Sequence, residues 1–319
     1  MKLSTEVALK KTSYPIDYDS KVLCLGSCFA EHISSKLDYF KFEVTSNPFG
    51  ILFHPEAILN VVEKAAKDEE FTADDIFLHN DQWHSFFSHS RLSRNSKAEI
   101  LAALNSAKKE LNMACREASH IIITLGTSFI YRNKSTGQGV ANCHKRPQDD
   151  FTKQLTSIDD LKSILNHLTS SFEKLKPHIK LVFTISPVRH IKDGIQENQR
   201  SKAHLIAALH EVLEENSTSY DYFPSYELMI DEFRDYRFYD RDLIHPNALA
   251  VDMIWHKFKS TFISESVFED MLKVEKLQKT LAHRQTQTHG DAFDKLKAYQ
   301  SKLKEELVKK YPFMSFENL

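Results

Sequence analysis

The chain has 319 residues, 41% of them hydrophobic and 27% charged, a composition that argues against wholesale disorder. Forty-two basic residues against 44 acidic leave a formal charge of −2, so no global positive field draws the chain to nucleic acid or anionic lipid. No stretch reaches the roughly 18 apolar residues of a membrane span, and the N-terminal "MKLSTEVALKKTSYPIDYDS" lacks the apolar centre of a secretion signal. The four cysteines, Cys24, Cys28, Cys115 and Cys143, have no paired-knuckle spacing and read as free thiols of a reducing compartment. The expected setting is cytoplasmic, with no membrane, nucleic acid, metal or cofactor called for.

Residues 1–20 read as an N-terminal extension. "KVLCLG" (21–26) is a strand-length apolar run that stops at a glycine, and the chain after it turns helical in pattern. "PEAILNVVEKAAK" (55–67) and "KAEILAALNSAKKELNMACREA" (97–118) carry apolar residues at three- and four-residue steps, which predicts helices. "HIIITLG" (120–126) is a second strand. "SIDDLKSILNHLTSSFEKLK" (157–176) is a helix with a start signal, Ser157 followed three residues later by Asp160. A third strand, "HIKLVFTISP" (178–187), precedes the helix "SKAHLIAALHEVLEEN" (201–216), and a weaker strand begins near Ser219. Pro246 and Asn247 then introduce the helix "ALAVDMIWHKFKSTF" (248–262).

Continuously apolar strands alternating with helices predict a mostly parallel sheet covered on both faces, a three-layer α/β/α sandwich over residues 21–265. Residues 266–319 read as two charged helical stretches, interrupted near "THGD" (288–291), with a narrow apolar stripe. This is an appendage suited to packing on the core or on another copy of the chain.

Only seven glycines occur, and Gly26 and Gly126 each end a strand while Gly50 lies in "SNPFGILF". In open α/β sheets ligands bind beyond the carboxyl ends of the strands, where two of these glycines fall. In "YDRDLIHPN", Asp242 and His245 stand three apart, so one turn of backbone can bring a carboxylate beside an imidazole, the arrangement that orients a general base. Alone, such a pair reads as a capped turn with a surface histidine. It gains meaning from the order of the chain: two adjacent nucleophiles, Ser27 and Cys28, follow the first strand, and Asp-x-x-His precedes a late helix.

"LGSCFAEHI", "SNPFGILFHP", "ITLGTSFIY", "VANCHK", "TISPVRHIKDG" and "DLIHPN" together resemble the GSCFA family of the SGNH, or GDSL-like, hydrolase superfamily, over about residues 20 to 258. The resemblance implies a flavodoxin-like α/β/α sandwich and a covalent acyl-enzyme. On that register Cys28 falls at the nucleophile's position, with Ser27 one residue away as the alternative, His245 as base and Asp242 as its orienter. A neighbouring histidine and a helix N-terminus would lower a thiol's pKa. Cys24, inside the strand, reads as a small buried apolar residue.

The superfamily's oxyanion donors are the nucleophile's own N–H, a glycine for which Gly50 can stand, and an asparagine. The third block here has Ser128 instead, so its hydroxyl or the amide of Asn142 is the replacement. Other polar residues fall in loops of the same edge: His84 and His89 beside Trp83, Phe86 and Phe87, then His144 and Lys145, then Arg189 and His190. His84, His89, His144 and Arg189 are the substrate-binding candidates, with Arg189 suited to an anionic group. A zinc site of His84, His89, Cys143 and His144 can be drawn but lacks a familiar ligand spacing.

The function implied is an acyl esterase or acyltransferase acting on a small-molecule or carbohydrate ester, the carbohydrate resting on superfamily analogy alone. Two alternatives belong to other classes. One is a ligand-binding domain that keeps the fold without the reaction; the other is an interaction protein acting through the tail, with a homo-oligomer formed by the C-terminal helices.

Overall fold

The computed structural model describes residues 5–216, 220–282 and 290–316. In chain order, β1 (Lys21–Gly26) leads to α1 (Cys28–Tyr39), β2 (Glu43–Ser46) and α2 (Pro55–Ala66). A hairpin of β3 (Phe77–His79) and β4 (Gln82–His84) precedes α3 (Lys97–Glu117) and β5 (His120–Leu125). Then come β6 (Phe129–Asn133), β7 (Gly139–Val140), β8 (Phe151–Leu155), α4 (Ile158–Leu175), β9 (Lys180–Ile185), α5 (Ile195–Glu215) and β10 (Tyr220–Tyr222). The short α6 (Ser225–Glu227), α7 (Ala248–Phe262), α8 (Phe268–Ala282) and α9 (Asp291–Lys310) complete the order.

Five strands pair in the order β10-β9-β5-β1-β2, every pair parallel. This is the doubly wound, flavodoxin-like order, which leaves a crevice where the chain reverses direction across the sheet between β1 and β5. Side chains alternate faces along a strand, and β1 shows the result. Leu23 and Leu25 join Ile58, Leu165 and Leu209 of α2, α4 and α5 in one apolar layer. Val22 and Cys24 join Ile33, Ile254 and Leu277 of α1, α7 and α8 in the other. The three-layer sandwich expected from the strand and helix pattern is the fold observed.

The expected strands and helices of the core are all present. Ser219, where the weak fourth strand was expected to begin, and Thr288 and His289 of the expected tail break lie outside the described residues. Five further strands were not anticipated from the sequence in the short hairpin and the antiparallel β7-β6-β8 sheet, nor was the edge strand β2. They are two to five residues long and half-buried in the main, so none presents the apolar run or long alternation that separates a strand from a loop.

The tail's apolar stripe is used within the chain. Met271, Val274 and Leu277 of α8 and Leu303 and Leu307 of α9 are buried in the same layer as α1 and α7. The Tyr311 ring lies 4.5 Å from that of Tyr18, and buried Asp270 accepts from both Lys310 Nζ (2.7 Å) and Tyr311 Oη (2.8 Å). Among the described residues no helix is long and apolar enough to cross a membrane.

Gly26 joins the two central strands at their carboxyl ends. Its φ is +123°, and a Cβ placed there would lie 2.1 Å from the Thr124 carbonyl oxygen. Backbone strain and steric overlap then add, so Gly26→Ala is expected to lower stability by about 2–4 kcal/mol. Urea denaturation midpoints of the two proteins measure this, and an unchanged midpoint would mean that the close approach is absent.

Candidate active site

The turn after β1 is held from three sides. Gly26 N–H donates to Asn47 Oδ1 (2.8 Å), Asn47 N–H donates to Cys24 O (2.9 Å) and Ser27 N–H donates to Thr124 O (3.0 Å). Ser27 then caps α1, its hydroxyl accepting from Phe29 N–H at 3.4 Å. These contacts separate the two adjacent nucleophiles. Ser27 is completely buried, whereas Cys28, the first residue of α1, is half-buried.

The Cys28 thiol is pushed up rather than down, which corrects the sequence-based expectation. Burial is the largest cause and the Glu31 carboxylate one turn along α1 adds to it, while Lys202 and the N–H groups of Phe29 and Cys28 pull the other way. The resting group is therefore the thiol, and attack by sulfur requires a base to take its proton.

Asp242 and His245 form a hydrogen-bonded carboxylate–imidazole pair. Asp242 Oδ1 accepts from the N–H groups of Ile244 (2.9 Å) and His245 (3.0 Å), and Oδ2 lies 2.6 Å from His245 Nδ1. The His245 N–H and ring, then Ile244 N–H, hold the exposed Asp242 carboxyl down at about 2, so it is ionised at neutral pH and accepts from Nδ1–H. Nε2 is left as the basic nitrogen. Between them Leu243 adopts φ +61°, a strained value for a bulky side chain. Asn247 fixes the end of the turn, capping α7 at Ala250 N–H (3.1 Å) and donating to Arg237 O (2.7 Å). The charge of His245 contributes to lowering the pKa of both His32 on α1 and His190 after β9, which sets it among residues of the same sheet edge.

A buried lysine underlies this edge. Lys202 of α5 is fully buried, and its Nζ donates to Gly126 O (2.6 Å) and Ser186 O (2.8 Å) at the ends of β5 and β9. Burial brings it down to about 7, with Cys28 raising it and Arg189 lowering it. Its signal was present in the sequence: residue 202 falls on the same helical stripe as Leu205, Ala208 and Leu209, an apolar face interrupted by a cation. Asn47 is the other residue missed. It is 5% exposed, and its Nδ2 has no hydrogen-bond partner.

The expected oxyanion donors are mostly engaged elsewhere. Gly50 N–H donates to Asn47 O (2.7 Å) and Ser128 Oγ donates to Ser201 O (3.0 Å), so neither meets an oxyanion without first breaking that bond. Asn142 Oδ1 accepts from His144 N–H (2.7 Å), and the residue lines a separate cavity.

His84 and His144 are buried with their rings 4.6 Å apart. His84 bonds Ser93 Oγ (2.6 Å) through Nδ1 and His79 O (3.0 Å) through Nε2, which leaves no nitrogen for a substrate. His144 Nε2–H donates to Ser85 O (2.7 Å), and burial brings this ring down to about 4. His89 caps a short turn, accepting from Arg91 N–H (3.3 Å), and packs over Gly50. These three histidines therefore brace loops. Among the described residues no group of three or more His, Cys, Asp or Glu side chains is arranged to hold a metal. Arg189 differs: its Nη1 donates to Tyr239 Oη (3.0 Å), no carboxylate pairs with it among the described residues, and it lines a groove of about 570 Å³ together with Asp242.

Fold and edge define a class, a doubly wound α/β/α domain with adjacent Ser and Cys after the first strand and an Asp–His pair before a late helix. A model of the GSCFA family matches residues 21–258, and the chain belongs to that family, one of the SGNH/GDSL-like hydrolases. No curated protein matches the chain.

The buried lysine makes stability depend on pH. In the unfolded chain Lys202 keeps its proton to about 10.4, whereas in the fold it releases it near 7. Between those values the unfolded state binds more protons, so stability rises with pH. The stability of wild type relative to Lys202→Met is expected to be flat below about pH 7 and to climb from there toward pH 10. Parallel denaturation curves for the two proteins across that range would contradict a buried ammonium.

Proposed function

We propose that the protein is an acyl esterase or acyltransferase that works through a covalent acyl-enzyme, with Cys28 as nucleophile, His245 as base and Asp242 as its orienter. The observation that supports it best is the contrast at the turn after β1. Ser27 is sealed in as a helix cap, while Cys28 remains half-buried at the helix start and in electrostatic contact with Lys202.

As Cys28 Sγ attacks an ester carbonyl, its proton passes to His245 Nε2, a C–S bond forms and the carbonyl electron pair moves onto oxygen. Collapse expels the alcohol oxygen, which takes the proton from His245 and leaves a thioester. Water or an acceptor hydroxyl then attacks the thioester, giving its proton to His245; the C–S bond breaks and the sulfur regains the proton. Because the thiol is pushed up, proton removal and attack are coupled, as for a serine nucleophile. Asn47 Nδ2, buried without a partner on a side chain anchored to Gly26, and the amide end of α1 are the oxyanion donors in this reading. An acylated carbohydrate is the substrate proposed by superfamily analogy.

The second reading is a binding domain without catalysis, favoured by the raised thiol and the occupied Gly50 and Ser128 donors. Hydrolysis of p-nitrophenyl acetate separates the two. Cys28→Ala and His245→Ala are each expected to lose about 10³-fold or more of the rate. Ser27→Ala should keep its rate and lose about 1 kcal/mol of stability as a helix cap. Loss in Ser27→Ala with Cys28→Ala intact exchanges the nucleophiles, and a wild type no faster than buffer would favour the binding domain.

A further inference from the structure

A second cavity of about 570 Å³ opens between the antiparallel β7-β6-β8 sheet and the carboxyl ends of the central strands. Thr127, one residue beyond the Gly126 carbonyl that holds Lys202, lies in its wall. Phe53, Phe129, Tyr131 and Phe151 supply aromatic surface, of the kind that packs against the C–H face of a sugar or against a planar base.

The charges of this wall do not balance. Its one carboxylate, Asp193, is paired with Lys153, and Arg146 is paired with Asp150 at 2.8 Å. Lys145 and Lys192 also line the cavity, and no carboxylate pairs with either among the described residues. A carboxylate ligand would bring a single negative charge to these two ammonium groups. A phosphomonoester, with a charge of about −1.5 to −2 at neutral pH and three acceptor oxygens, matches both.

The cavity shares a wall with the groove beside Asp242. Along the segment after β9 the side chains divide: Arg189 and Ile191 line the groove, whereas His190, Lys192 and Asp193 line the cavity. His190 Nε2 is buried with no partner, and burial, then the charges of Lys202 and His245, bring its ring down to about 4. A neutral imidazole in that wall can hydrogen-bond a ligand hydroxyl.

We infer that this cavity is an acceptor site for a phosphorylated sugar, free or as part of a nucleotide, with the phosphate on Lys145 and Lys192 and the ring against the aromatic wall. The acceptor role rests on the acyl-enzyme reading: a sugar hydroxyl attacks the Cys28 thioester carbonyl, its proton passes to His245, the C–O bond forms as the C–S bond breaks, and sulfur takes the proton back.

Isothermal calorimetry of wild type and Cys28→Ala with α-D-glucose 1-phosphate, uridine monophosphate and glucose tests the site apart from the chemistry. Both proteins are expected to bind at least one phosphate ester equally well, and glucose at least 10-fold more weakly. The tighter phosphate ester identifies the free sugar or the nucleotide. Lys145→Ala/Lys192→Ala, checked for folding by circular dichroism, is expected to weaken phosphate-ester binding at least 10-fold. Binding by Cys28→Ala alongside a wild type that cleaves no ester would keep the phosphate site and remove the acyl-enzyme reading. Absence of binding to either phosphate ester, glucose binding as tightly, or an unweakened double variant would each overturn the assignment, whatever the esterase assay shows.

Discussion

At the end of the first strand Gly26 presses against the Thr124 carbonyl, closer than any side chain permits. That contact lets the chain leave the sheet and enter α1 within one residue. Ser27 can then use its N–H on Thr124 and its hydroxyl on the helix, and both of those bonds turn its side chain inward. Cys28 inherits the outward position as a consequence. Which of the two adjacent side chains stays accessible is thus decided by how tightly β1 and β5 approach. The loop after β2 depends on the same turn, because Asn47 is anchored to Gly26 and to Cys24.

The carboxyl edge of the sheet is electropositive although the chain as a whole is not. Lys202 sits under it without a counter-charge and is held by two carbonyl oxygens; Arg189 lies above it, bonded to a tyrosine hydroxyl. Burial is the main cause of the lowered Lys202 and His190, and in so low a dielectric charge adds to it: Arg189 lowers Lys202, and Lys202 lowers His190. The same field opposes the Glu31 influence on Cys28 and favours negative charge developing near the start of α1. Asp242 is the local exception, stabilised as an anion by the amides of its own turn.

Much of this was legible in residues. The apolar runs of β1, β5 and β9 announced a buried parallel sheet, and the spacing of Asp242 and His245 announced their contact, since three residues make one turn. Lys202 was legible in principle, as a cation on an apolar helical stripe. The roles of His84, His89 and His144 were not, because a histidine near aromatic residues reads alike whether it faces a substrate or braces a loop. The carbonyls that occupy His84 and His144 and the Asn47 carbonyl that occupies the Gly50 amide belong to backbone five to 59 residues away or within a turn whose course has no pattern.

By itself, then, the amino-acid sequence determined the sandwich, the order of the chemical groups along the chain and the contact between Asp242 and His245, because each follows from local periodicity or short spacing, and it carried the family in six separated motifs. The tertiary structure alone decided that Ser27 is sealed and Cys28 is not, that the thiol is raised, that the tail completes this chain's own apolar layer, and that two cavities share the Arg189–Asp193 wall. These depend on burial and on pairings between distant segments. The free energy of an isolated charge or an unpaired amide is set by what surrounds it in space, and no window of sequence contains that surrounding.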